Sequence, residues 1–359
     1  MHREFIKTDA VKASVFSCYT YGMEICYLIA FPDTETKTAP VKESIKGLKD
    51  APYFQPVDID VISLGDETIL IEGHAVAVVR HQYDERVQMV EARFELKDAF
   101  DTSALQERAK IEQALQSKFI PVAYRQSGLF EDYPILLVDE VKQSPDKWVD
   151  KHALVISRFI RSQRDSFDKN EVGEILVSRT RYSASELTLV DWEGAVIIAP
   201  NGDYDSDIVL LKIGNYQLLR YRMLDHAIEE LLDKINESFF ENKRRPRATR
   251  GVIRKVAEHK LEVMLDFERT EQTLLLIGDW YTAKLYEAIQ SELYLKAWKE
   301  SVRTKLDNVE SIVQTIKDNL SISWENLMDQ IQLFLWMIML LGYLYLYFLD
   351  AGWITLPVK

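Results

Sequence analysis

Ile331-Gln332-Leu333-Phe334-Leu335-Trp336-Met337-Ile338-Met339-Leu340-Leu341-Gly342-Tyr343-Leu344-Tyr345-Leu346-Tyr347-Phe348-Leu349 contains no charged side chain. As a helix rising ~1.5 Å per residue it spans about 28 Å, close to a hydrocarbon core of roughly 30 Å. The stretch is apolar on every side, whereas the surface helix of a soluble protein carries a polar face. Tyr343, Tyr345, Tyr347 and Trp353 gather at its C-terminal end, where amphipathic rings favour a membrane interface. The competing reading is the buried central helix of a soluble domain. The membrane reading is preferred because Gln332 alone interrupts the apolar run. With ten residues following Leu349, the expectation is a tail-anchored, single-pass membrane protein that contacts lipid through 331–349.

Upstream of this stretch, the period is helical from about Gln217. Leu224, Ile228, Leu231, Ile235 and Phe239 form one apolar face. Pro246 breaks that helix, a second is expected over 251–275, and Gly278-Asp279 marks a corner. A long helix then starts near Trp280. Its stripe, Leu295, Trp298, Val302, Leu306, Val309, Val313, Ile316 and Leu320, advances in threes and fours with one stutter, the coiled-coil period. This stripe has two candidate partners, an antiparallel helix of the same chain or a second protomer. A kink or re-cap is expected at Ser321–Trp324. Residues 216–330 thus read as a helical-hairpin stalk.

Residues 1–215 read as an α+β cytosolic domain of mostly antiparallel strands, with a subdomain boundary near 141–150. Strands are expected at Val15–Tyr21, Glu24–Phe31, Thr68–His81, Val87–Leu96, Tyr133–Asp139, Ala153–Phe159, Glu174–Arg181 and Glu186–Val190. A short helix is expected around Val41–Leu48 and a longer one over Ser103–Phe119. The alternation in Val87–Leu96 suggests one wet and one buried face. Asn201-Gly202, which tolerates positive φ, suggests a hairpin joining Gly194–Ala199 to Ile208–Ile213.

A content of 47% hydrophobic and 28% charged residues describes a folded chain rather than a disordered one. A formal charge of −13 disfavours broad nucleic-acid binding, which needs a basic surface. Cys18 and Cys26 have neither zinc-knuckle nor redox CxxC spacing, so both read as packed thiols. The N-terminal residues Met1–Lys7 lack the apolar run of a secretory signal. That leaves the bulk of the chain expected in the cytosol, or matrix-side in an organelle. Charges flanking the span do not fix its direction.

Two segments are candidates for chemistry. Asp203, Asp205 and Asp207 alternate carboxylates that could supply hard oxygen ligands to a metal, although the glycine and terminal glutamate of a calcium loop are missing. Lys243, Arg244, Arg245, Arg247 and Arg250 concentrate positive charge in an acidic protein and could hold an anion or a lipid head group. Equally, they could be solvated cations at a helix C-terminus. The histidines lack HxxxH and HExxH spacing, and no nucleophile elbow, Walker A or dinucleotide glycine pattern occurs. No catalytic residue and no cofactor are indicated.

Several features of the C-terminal third occur in a familiar order: Gly278-Asp279-Trp280, Leu285-Tyr286-Glu287, Leu295-Lys296, Arg303–Val309 and a hydrophobic tail. In this order, with Trp280, Leu285, Tyr286 and Leu306 in matching positions, the segment Asp191–Leu349 resembles the "required for meiotic nuclear division" family. The family's Leu-Glu-Trp step before the membrane helix is absent; Trp324-Glu325 stands in reversed order. The resemblance implies a membrane-anchored scaffold, often organellar in eukaryotes, and supplies no catalytic residues. An acidic α/β domain and stalk helices before a membrane segment are also similar to CorA-like magnesium channels. Those channels carry two spans and a Gly-Met-Asn motif that this chain lacks.

The expected function is therefore anchoring and scaffolding through self-association or a protein partner. An oligomeric ion channel or transport-associated protein, and an anion- or lipid-binding enzyme, are the alternatives. The expected self-association residues are Leu295, Val302, Leu306, Val309, Val313, Ile316 and Leu320.

Overall fold

In the computed structural model of the protein, residues 23–33, 42–43, 60–96, 102–139, 141–163, 167–237 and 280–351 are described, with 254, 257–258, 260–265 and 267–268 between the last two stretches. The chain divides into two compact units. One comprises Met1–Ala227 with Val263–Val302, the other Ile228–Glu262 with Arg303–Lys359.

The first unit is α+β and built on a nine-stranded sheet. Its strands are β1 (Met23–Pro32), β2 (Lys42–Glu43), β3 (Val61–Ile71), β4 (His74–Tyr83), β5 (Val87–Leu96), β6 (Glu131–Val138), β7 (Arg179–Thr180), β8 (Leu187–Asp191) and β9 (Gly194–Ile198). The spatial order is β2-β3-β4-β5-β1-β6-β9-β8-β7. Pairing is antiparallel throughout except between β6 and β9. β1 lies between β5 and β6, and from Ile25 to Phe31 it is buried on both faces. That explains its unbroken run of branched and aromatic residues, which periodicity alone would not assign to one face.

Each face of the sheet meets helices. Ile25, Tyr27, Ile29 and Phe31 of β1 join Val90, Ala92 and Phe94 of β5 in an apolar cluster with Ile111 and Leu115 of α1 (Thr102–Phe119). The same cluster takes in Val149 of α3 (Pro145–Lys151), Ile156, Phe159 and Ile160 of α4 (Ala153–Ile160) and Ile175 of α5 (Lys169–Ile175). A short helix, α2 (Val122–Ser127), precedes β6. On the opposite face lie α6 (Asp205–Asn236) and α7 (Trp280–Glu292), tied to β5 and β8 by the polar contacts described below. α6 and α7 approach closely at Gly214. A Cβ built there would come 2.4 Å from Ile289 Cγ2, which a stiff β-branched side chain cannot relieve cheaply.

Several expected elements are corrected. The Thr68–His81 run is interrupted by a turn in which Glu72 and Gly73 have φ of 50° and 84°, giving the β3–β4 hairpin. Ala153–Phe159 is helical, because its apolar residues meet the core at helical spacing and packing overrides β propensity. Glu174–Arg181 is the end of α5 followed by a two-residue strand. Within the boundary expected near 141–150, Pro145 opens α3. Asn201 and Gly202 do adopt positive φ, 62° and 71°. They lead into α6, however, so Ile208–Ile213 is helix and the true hairpin is β8–β9. The face of β5 expected to be wet is so only toward its end: Glu95 is exposed, whereas Glu91 is buried with its apolar neighbours.

In the second unit, Ile228, Leu231 and Ile235 of α6 are buried, as are Leu306 and Val309 of α8 (Leu295–Asp350). Lys305 Nζ lies 3.1 Å from Glu229, and Lys260 Nζ lies 3.1 Å from Glu310. The long helix expected from Trp280 is broken at Leu293-Tyr294, where Tyr294 has a φ of 52°. Ser321–Trp324 stay helical, so α8 continues through the expected kink. The expected strand at Val15–Tyr21, most of 41–48 and 251–275, and the corners at Pro246 and Gly278-Asp279 lie outside the described residues.

Candidate functional site

The polar chemistry of the first unit concentrates beneath α6. Lys212, Tyr216 and Arg220 recur every fourth residue, which places them on one side of the helix. The facing strand β5 alternates, so Glu91 and Arg93 point to the same side of the sheet as Cys26 and Leu28 of β1. Arg93 Nε donates to Glu91 Oε1 at 2.6 Å, and Arg93 Nη2 donates to Asp205 Oδ1 at 3.1 Å. Lys212 Nζ donates to Glu91 Oε2. Further along, the Tyr216 hydroxyl donates to Asp84 Oδ2, while Asp84 Oδ1 accepts from the Asp60 backbone N–H at 2.9 Å. The Tyr83 and Tyr216 rings pack with centroids 5.5 Å apart.

Burial alone would raise the Glu91 carboxyl. Lys212 and Arg93 outweigh it and hold Glu91 below the usual carboxylate range. Lys212 is pushed up by Glu91 in spite of its own burial. Burial raises Glu24 against the opposing pull of Arg93, and raises Asp84 against its bond from Tyr216. Burial also pushes the Cys26 thiol up, so it stays protonated and is a poor nucleophile. Glu91 is thus ionised and compensated by two cations, an arrangement that fixes α6 on the sheet. Breaking such a buried pair leaves an uncompensated charge.

A second polar group joins α6, α7 and β8. Thr188 Oγ1 and the Tyr281 hydroxyl both donate to Asp207 Oδ2, the latter at 2.8 Å. The Tyr286 hydroxyl donates to Gln217 Oε1.

These contacts keep apart the three aspartates expected to share a metal site. Asp207 is buried against Thr188 and Tyr281, Asp205 pairs with Arg93, and Asp203 is exposed at the end of the turn. Among the described residues no group of three or more His, Cys, Asp or Glu is placed to hold a metal ion. Lys243, Arg244, Arg245, Arg247 and Arg250 lie outside the described residues. The association stripe is largely used within the chain: Leu295, Val302, Leu306 and Val309 are buried, and Val313 and Ile316 are half-buried. The side chain of Leu320 lies outside the described residues. The Glu91–Lys212 pair was hidden because 121 residues separate its members. The only sequence signal was a lysine within the apolar run Ile208–Ile213.

The other exceptional surface is the C-terminal part of α8. Met328–Asp350 is the one helix among the described residues long and apolar enough to cross a membrane, and none of it is buried in the chain. Leu333, Trp336 and Leu340 are 70%, 64% and 63% exposed, respectively.

A family model described as "Uncharacterized protein MJ0711, N-terminal domain" matches residues 18–205. The protein of Methanocaldococcus jannaschii called "Uncharacterized protein MJ0711" is 21% identical over 259 residues, which cover 71% of this chain and 77% of that protein. No solved structure matches. The family match falls on the sheet unit, whereas the meiotic nuclear division resemblance was read from the C-terminal third.

Proposed function

We propose that this chain, which belongs to the family described as "Uncharacterized protein MJ0711, N-terminal domain", holds its α+β unit at a membrane and serves there as a scaffold. The observation that carries this reading is the exposure of the apolar helix 328–350, whereas the long apolar strands β1 and β6 are buried. A contiguous apolar surface of that extent requires lipid or protein to cover it. Its length and lack of charge fit lipid. The buried ion pairs of the α6 seam are directed to one another, which favours a structural role over catalysis. The order of Trp280, Leu285, Tyr286 and Leu306 supports a further kinship with the meiotic nuclear division family. On this reading the large unit lies on the cytosolic or matrix side.

The size of the complex extracted from membranes in mild detergent tests the scaffold reading. A particle larger than one chain, reduced in size when the chain is truncated after Leu320, is the expected result. A strictly monomeric particle, with no partner cross-linked in the membrane, would count against it.

A further inference from the structure

The membrane helix has no charged side, yet its hydrogen-bonding side chains are not spread evenly around it. At about 100° per residue from Gln332, Tyr343 lies near 20°, Trp336 near 40° and Tyr347 near 60°. Four of the five hydrogen-bonding side chains between Ile331 and Leu349 thus share one narrow arc; Tyr345 stands apart. Asp329 and Asp350, at the two ends, fall on the same arc. The opposite side is Phe334, Ile338, Leu341 and Phe348. The chain itself does not cover the stripe: Tyr343 is 75% and Tyr347 69% exposed, and Gln332 is exposed as well.

We propose that this stripe is a contact surface for the same stripe of a second copy of the chain, with the two membrane helices parallel. The proposal rests on the membrane reading above. Hydrocarbon offers no hydrogen-bond partner, so polar side chains at that depth turn toward protein. Tyr343 lies about 10 Å along the helix from Asp350, farther from the C-terminal interface than Tyr345 and Tyr347. The occupant follows from the chemistry of the stripe. A glutamine amide and a tyrosine hydroxyl each donate and accept, so identical stripes complement one another without any charge of opposite sign. Copies inserted in the same direction meet in parallel about a twofold axis, each residue near its own equivalent. Asp329 and Asp350 then sit at the wet ends, where like carboxylates remain hydrated. The buried part of the Leu295–Val309 stripe is not needed for this contact.

Single cysteines in the full chain, in a Cys18→Ser background with the buried Cys26 retained, test the face. Two differently tagged copies are co-inserted in lipid vesicles and oxidised with copper phenanthroline. Cross-links between tags should form several-fold more readily for Gln332→Cys, Trp336→Cys and Tyr343→Cys than for Phe334→Cys, Ile338→Cys and Leu341→Cys. Independently, Gln332→Leu combined with Tyr343→Phe, which keeps the helix apolar, should weaken association measured by energy transfer by roughly tenfold. Equal cross-linking around the helix, or none in protein that floats with lipid, overturns the proposal and leaves the membrane reading standing. A cross-link to a chain of another size also overturns it. Protein that does not float with lipid overturns both.

Discussion

Ile29 and Leu340 are both aliphatic residues in regular structure, yet Ile29 is fully buried in β1 while Leu340 is 63% exposed on α8. The sheet unit hides its apolar residues from water by packing them against helices. The C-terminal part of α8, over 328–347, presents the same residue types outward. One sequence therefore places the same residue types in two different surroundings, and a substitution should have different consequences in each.

The largest expected effect lies where α6 meets α7. Gly214→Leu would place a branched side chain where even a Cβ meets Ile289 Cγ2 at 2.4 Å. We expect loss of the folded sheet unit, or destabilisation of about 3 kcal/mol or more in chemical unfolding, as overpacking combines with displacement of the helix. Glu91→Ala should cost roughly 3–5 kcal/mol, because Lys212 would remain buried beside an empty position and half-buried Arg93 would keep only Asp205. Glu91→Met combined with Lys212→Met should recover much of that loss, since an apolar replacement of both partners removes the uncompensated charge. A double variant as unstable as Glu91→Ala would show that charge compensation is not what holds α6 down.

In the C-terminal helix the ranking inverts. Leu340→Lys should leave thermal unfolding of the sheet unit unchanged while disfavouring insertion by roughly 2.5–3.5 kcal/mol, measured as the membrane-integrated fraction. Leu340→Ala should alter sheet-unit stability by less than about 0.5 kcal/mol. The chemically similar change Ile29→Ala should cost about 2–5 kcal/mol. Equal effects of the two alanine substitutions on unfolding would erase the contrast.

A smaller effect depends on pH. Burial raises Glu112 to about 7, against the opposing pull of Arg108. Its folded form therefore binds its proton more tightly than the unfolded chain does. The stabilisation is fully present below the ordinary value of 4.5 and is lost as pH rises through about 7. Glu112→Gln should flatten this decline in unfolding free energy, by on the order of 2 kcal/mol across the interval. An unchanged slope would place the proton elsewhere.

Local pattern was informative where it matched one structural period. β1 and β5 were legible from branched and aromatic content, α1 from its spacing, and the buried face of α6 from Leu224, Ile228, Leu231 and Ile235. The pattern misled in short, mainly apolar segments such as Ala153–Phe159 and Ile208–Ile213. Such runs fit a buried strand or a buried helix equally well, and only the tertiary partner decides. Asn201-Gly202 shows the same limit: its backbone was legible, but the element it leads to was not. The α6 seam was invisible because its charges meet only after the sheet and helix have packed. The apolar C-terminal helix was the most legible element because its length and composition are themselves the signal, whereas the hydrogen-bonding stripe required helical phase.

On the reading proposed above, lipid covers 331–349. Full-length protein made with membranes, washed at alkaline pH and floated through a density gradient, tests it most directly. If lipid covers 331–349, the full chain rises with the lipid and the Leu340→Lys variant is depleted from that fraction. Full-length, folded protein left in the soluble fraction would contradict it.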